Sequence, residues 1–249
     1  MNTDSPLLCQ REGPVLTLTF NRPEARNALN QALIARLTAE LEAAQDDPDL
    51  RVVVLRGAGP CFSAGVDLKE RRAATVAQRQ QQRRRLHHMI HLVELLPVPV
   101  VAALHGPVLG AGVELAAACD LRVASSDAVL GFSEAALAVF PGAGGPVRLQ
   151  RLMSLGMVKL MVFTGRRLSA EEARACGLVE LVVPPDRLDA CLAELTADIS
   201  RGTREGLKAA KILMQRSAEM GLEAAMDLSV ALRQPLDGSA AYEQRLDRF

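Results

Sequence analysis

Val98 to Cys119 reads VPVVAALHGPVLGAGVELAAAC, and its only acidic or basic side chains are His105 and Glu114. The stretch is long enough for a membrane span. However, Pro99, Pro107, three glycines and Glu114 divide it into a strand, a turn and a helix. That division makes it core, and it sets the rhythm of the chain. Glu114 is a charge kept where burial excludes charge. Its helical neighbours three and four positions away are Gly110, Ala111, Ala117 and Ala118, so no Lys or Arg on its own helix can neutralise it.

Outward from this stretch, strands and helices alternate. Val15 to Phe20 alternates two faces and ends at Asn21-Arg22-Pro23, as a half-buried strand does. Leu29, Leu33, Leu37 and Leu41 recur every four residues and predict an amphipathic helix up to Pro48. Arg51 to Leu55 predicts a buried strand before the loop GAGPCFSAGVD. Val98 to Leu104, Leu121 to Ala124 and Ala128 to Phe132 predict strands, and Ala111 to Cys119 a helix. Ser169 with Glu172 forms a capping box, and Gly177 stops that helix before a strand from Leu178 to Val183. Beyond Pro184-Pro185 the pattern is helical throughout: Asp186 to Arg201, Thr203 to Ser217 and Leu222 to Arg233. The expectation is an α/β core over residues 1–185 and a helical region over 186–249 that packs on it.

Composition narrows the function. The 249 residues carry 29 basic and 29 acidic side chains, no Trp and one Tyr. A neutral, aromatic-poor chain offers neither an electrostatic footprint nor stacking platforms for nucleic acid. Five scattered cysteines without zinc-ligand spacing fit free thiols in a reducing compartment, and the N-terminus lacks a signal-peptide pattern. A cytoplasmic location without membrane insertion is the expectation.

A second isolated acid, Glu134, follows in AVLGFSEAALAVFPGAGG. Two carboxyls in apolar, glycine-punctuated surroundings suit acid/base chemistry, because desolvation raises a carboxyl pKa toward neutrality. The loop Ser63 to Asp67 and the segment Gly110-Ala111-Gly112 each place backbone amides where internal partners are lacking, as an oxyanion hole requires. Taken singly, each feature has a plain structural explanation: a tight turn, or a carboxylate near a helix N-terminus. Gly57-Ala58-Gly59 lacks the third glycine of a dinucleotide fingerprint, and His87, His91 and Glu94 read as an exposed helix face. Pro141 to Gly145 reads as a turn that starts a helix or shapes a pocket wall. The cluster Arg71, Arg72, Arg79, Arg83, Arg84 and Arg85 reads as a solvated face, or as a rim for an anionic ligand.

Along nearly its whole length the chain resembles the crotonase, or enoyl-CoA hydratase/isomerase, family. The matching segments are NRPEARNALN (Asn21 to Asn30), FSAGVDLKE (Phe62 to Glu70), HGPVLGAGVELAAACDL (His105 to Leu121), SEAALAVFPGAGG (Ser133 to Gly145) and TGRRLSAEEARACGLVELVVP (Thr164 to Pro184). The resemblance implies a spiral of ββα units with a helical C-terminal trimerisation region, assembled as a homotrimer or a hexamer of two trimers. It implies an acyl-CoA thioester as substrate, with coenzyme A entering only as part of it, and no metal or redox cofactor. Carried over residue by residue, it implies Glu114 and Glu134 as the catalytic acids and the Val66 and Ala111 amides as oxyanion donors. Ala111 stands where the family usually has glycine. The resemblance further implies substrate contacts from Ala25, Leu29, Ala64, Gly65, Val66, Asp67, Leu68, Lys69, Gly110, Ala111, Leu137 and Pro141, with Leu109, Val139 and Phe140 beside the acyl pocket.

Keeping both acids argues for reversible syn hydration of a trans-2-enoyl-CoA. Alternatives are a double-bond isomerase using Glu134 alone, a thioester hydrolase and a non-catalytic acyl-CoA-binding paralogue. The ending AYEQRLDRF departs from the family, lacking the Phe followed by Lys-Arg that implies a CoA contact from that end.

Overall fold

The computed structural model describes residues 5–247; Arg248 and Phe249 of the divergent ending lie outside them. Strands β1 (Leu7–Glu12) and β2 (Val15–Phe20) form a hairpin, followed by a 3-10 turn at Pro23–Ala25 and helix α1 (Gln31–Gln45). Next come β3 (Val52–Gly57), α2 (Leu68–Ala73), α3 (Val76–Leu95), β4 (Val100–Leu104), β5 (Pro107–Leu109) and α4 (Ala111–Ala118). The chain continues through β6 (Leu121–Ser125), β7 (Val129–Gly131), a 3-10 turn at Glu134–Leu137, α5 (Gly145–Leu149) and α6 (Leu155–Thr164). Then follow β8 (Arg167–Ser169), α7 (Ala170–Ala175), β9 (Leu181–Val183) and the helices α8 (Leu188–Ser200), α9 (Arg204–Ser217), α10 (Leu222–Asp237) and α11 (Ala240–Leu246).

Two sheets result, a six-stranded one ordered β1-β2-β3-β4-β6-β9 and a three-stranded one ordered β5-β7-β8. The chain visits them in turn. β4 and β6 pair in the first sheet, whereas the segments that follow them, β5 and β7, pair in the second. Isolated parallel bridges, Leu29 with Val66 and Ser63 with Val108, extend the second layer toward the N-terminus. Each βα repeat therefore advances one strand in both layers, which produces the spiral.

Period-two alternation explains how both faces of the large sheet are buried. Val53, Leu55, Val100, Ala102 and Leu104 face the main core with α1 and α3, while Val52, Val54, Val101, Ala103 and Val123 face Leu188 and Leu192 of α8.

The sequence reading and the structure differ mainly at boundaries. Leu29 belongs to the leucine period but not to α1, because Asn30 caps the helix by accepting from the Leu33 amide at 2.9 Å. Leu29 is left to bridge the Val66 loop. The strand expected over Leu178 to Val183 is confined to Leu181–Val183, because the Leu178 and Val179 amides fold back onto the Ala173 carbonyl. The capping box at Ser169 and Glu172 is present. β1 and α6 had no reading from sequence. No helix among the described residues is long and apolar enough to cross a membrane.

Candidate active site

The segment Asn21 to Asn30 builds a platform for the first loop. Asn27 is fully buried and adopts φ +52°, and its side chain donates to the Ala58 and Cys61 carbonyls at 2.8 and 2.7 Å. Ser63 Oγ donates to Asn27 O at 2.8 Å, and the Ala64 amide donates to Arg26 O at 2.9 Å, which holds Ala64 beside the turn that carries Ala25. Arg22 pairs with Asp67 at 3.0 Å, and Asp67 caps α2 by accepting from Lys69 and Glu70. The Leu29 amide donates to Gly65 O and the Asp67 amide to Leu29 O. The intervening Val66 amide donates to no acceptor among the described residues.

Gly110 provides the second half. Its φ of +53° turns the chain from β5 into α4, and its amide donates to Gly131 O at 3.0 Å. The first intrahelical donors of α4 are Val113 and Glu114, both bonded to Gly110 O. The Ala111 amide, at the helix N-terminus, likewise donates to no acceptor among the described residues, and the helix dipole adds to its pull on negative charge. Gly65 sits directly against it: a Cβ there would lie 3.2 Å from Ala111 N and 2.7 Å from Leu109 O. The two loops that carry the unengaged amides thus lie in contact.

Glu114 is 2% exposed on a helix whose eight residues are all buried. Its partners come from another element. Oε1 accepts from the Ala143 and Gly145 amides at 2.7 and 2.8 Å, while Oε2 accepts from no described residue. Burial pushes this carboxyl up to about 7; the Gly145 and Ala143 amides oppose the rise and the charge of Glu134 adds to it. Glu134, at the start of its 3-10 turn, is half-buried, and its Oε2 accepts from the Ser133 amide at 2.8 Å. Burial raises its pKa as well. Its Oε1 lies against Gly110, where a Cβ would come within 2.6 Å. Glu134 therefore sits against the start of α4, close enough for its charge to act on Glu114 in the first turn of that helix.

The remaining positions are less uniform. Gly65, Gly110, Ala111 and Pro141 are buried at the site, and Val66 and Asp67 half-buried beside it. Leu68 and Lys69 are exposed on α2, and Leu137, Val139 and Phe140 are exposed on the loop after Glu134. The segment Pro141 to Gly145, expected to start a helix or shape a pocket wall, also cradles Glu114, which its sequence does not announce. The glycine run shortly after the second acid was the only signal. His87 and His91 lie on an exposed face of α3, with His87 Nε2 against Gly142 O. Among the described residues no group of three His, Cys, Asp or Glu could hold a metal ion. An open cleft of about 440 Å³ lies elsewhere, between Thr17 and Thr19 of β2, Arg56 and the start of α8. Ala58, Gly59 and His105 line it, but Glu114, Glu134, Val66 and Ala111 do not, so cavity size does not locate the two acids.

The family model for enoyl-CoA hydratase/isomerase matches residues 10–249. The chain belongs to the enoyl-CoA hydratase/isomerase family. It is 38% identical over 244 residues to the enoyl-CoA isomerase/hydratase fer4 of Mycosarcoma maydis, covering 94% of this chain and 89% of that relative. It is 39% identical over 227 residues to the 2,3-dehydroadipyl-CoA hydratase of Escherichia coli (strain K12), covering 89% and 86%. The crystal structure of enoyl-CoA hydratase from Bacillus anthracis superposes with a TM-score of 0.95 at 34% identity, covering 97% of this chain and 95% of that one. Membership in the enoyl-CoA hydratase/isomerase family accounts for the two-layered spiral and for the helices that follow it.

Proposed function

We propose that the protein is an enoyl-CoA hydratase, adding water reversibly and syn to a trans-2-enoyl-CoA to give a 3-hydroxyacyl-CoA. The observation that carries this reading is the placement of two carboxyls at the start of α4, beside the unengaged Val66 and Ala111 amides. The thioester oxygen accepts from those amides, so the negative charge that develops on it meets donors already in place. Glu114, anchored through Oε1, has Oε2 available to take a proton from water as the water oxygen bonds to C3. The π electrons of the C2–C3 double bond move toward the thioester, and Glu134 delivers a proton to C2. One proton passes from Glu134 to C2 and one from water to Glu114; exchange with solvent restores the pair. Coenzyme A is part of the substrate, and the scheme needs no metal or redox cofactor.

The test uses crotonyl-CoA. Glu114→Gln and Glu134→Gln each lower the hydration rate by about a hundredfold or more while acyl-CoA still binds. Near-normal turnover in either variant removes that acid from the mechanism.

The relative named isomerase/hydratase favours one second reading, migration of the double bond with Glu134 alone. Products formed from a 3-enoyl-CoA separate the two, since an isomerase keeps its rate in Glu114→Gln. The exposed stripe Leu222, Met226 and Val230 along α10 supports assembly with further copies of the chain, as a homotrimer or hexamer. Five free cysteines support a reducing, cytoplasmic setting.

A further inference from the structure

The loop that cradles Glu114 is itself held by an ion pair outside the reacting centre. Arg148, on α5, donates through Nε and Nη2 to Glu94 Oε2 at 3.3 and 2.8 Å, and through Nη1 to Ala143 O at 3.1 Å. Its backbone amide closes the same loop on Gly144 O at 3.0 Å. Ala143 is therefore gripped from both sides: its carbonyl by Arg148, its amide by Glu114. The pair is well shielded, with side-chain exposures of 15% for Arg148 and 28% for Glu94. Glu94 comes from the last turn of α3, whose His87 also touches the loop at Gly142 O. Gly144, at φ +95°, leaves room for the guanidinium, which a side chain there would strike. Only a planar fork reaches a carboxylate and a carbonyl in different directions at once.

We propose that Arg148, braced by Glu94, is a positioning residue: it sets the loop whose amides aim the Glu114 carboxylate and keep it a usable base. The inference rests on the hydratase reading for its kinetic consequence, but not for its structural one. Burial works to raise the Glu94 carboxyl, and the Arg148 guanidinium, with His91, overrides it and holds it below the usual range, as a persistent pair requires.

Hydrogen exchange by mass spectrometry across residues 140–149, together with the pH profile of crotonyl-CoA hydration, tests the proposal. In Arg148→Met, exchange at Ala143 to Gly145 rises, and kcat falls by about tenfold or more with KM within about twofold. The acid limb of kcat moves to higher pH, because a cation and part of the amide support for the Glu114 anion are lost. Arg148→Lys restores the limb by keeping the charge, yet not the exchange protection, since it lacks the fork. Glu94→Gln, which leaves Arg148 in place, loosens the loop in the same direction and decides the matter if Arg148→Met does not fold. Unchanged protection of Ala143 to Gly145 in a folded Arg148→Met or in Glu94→Gln overturns the inference, as does an unmoved limb with normal kcat. Full turnover in Glu114→Gln sinks the hydratase reading instead, and the exchange result still decides the brace.

Discussion

The Glu114 carboxyl is pulled two ways, toward the neutral form by burial and toward the anion by the Ala143 and Gly145 amides, and burial prevails. Its folded pKa of about 7 stands above the ordinary 4.5, so the native state holds a proton that the unfolded chain releases. The stabilisation from that proton is complete below 4.5 and is lost as pH rises through 7. Relative to Glu114→Gln, the wild-type protein accordingly loses up to roughly 3 kcal/mol between about pH 5 and about pH 8. Urea unfolding of the two proteins at both pH values measures it; a constant difference would put the carboxyl at its ordinary pKa. The base form grows over the same window, so kcat for hydration rises as pH approaches 7. Both acids were legible as charges stranded in apolar sequence. The partners of Glu114 were not, because a backbone amide is common to every residue except proline, and these two lie 29 and 31 positions away.

Among the elements, the turn from β5 into α4 matters most to the site. Gly110 has φ +53° and its missing side chain is the space Glu134 Oε1 occupies. Gly110→Ala consequently combines left-handed strain of about 1–3 kcal/mol with displacement of the Glu134 carboxyl. Hydration is expected to fall by about a hundredfold, read by the crotonyl-CoA assay, with a lowered Tm. Gly156→Ala is the control: a Cβ there meets nothing within 4 Å, and the residue lies in the first turn of α6. That variant keeps its activity and gains about 0.4–1 kcal/mol. Glycine-rich turns and the leucine period could be read directly, since conformational freedom and spacing are local properties. The start of α1 at Gln31 follows from the Asn30 cap, and what the leucine period did not show is that Leu29 leaves the helix to bridge Val66.

At the scale of the whole molecule, an apolar face is left without an internal partner among the described residues. No residue of α10 is buried, and Leu222, Met226 and Val230 are 81%, 58% and 66% exposed along one side of it. Helix α9, by contrast, is tied to the core by Lys211, which is 4% exposed and pairs with Asp120 at 2.6 Å. A second copy covering the α10 stripe, as proposed above, would account for the difference. The double variant Met226→Glu with Val230→Glu is expected to reduce the assembled mass in sedimentation velocity while leaving the helical circular dichroism intact. An unchanged mass would assign the stripe another role.

The βα alternation, the stranded acids and the helical C-terminal run belong to the chain read alone, because periodicity, charge in apolar surroundings and glycine spacing are short-range properties of residue type. Their meeting does not. The Ala143 and Gly145 amides reach Glu114, Arg148 reaches Glu94, and Gly65 reaches Ala111 only after the spiral closes its two layers. The amides are main-chain atoms common to nearly every residue, and the ion pair joins side chains 54 positions apart, so residue type alone does not say which groups will meet.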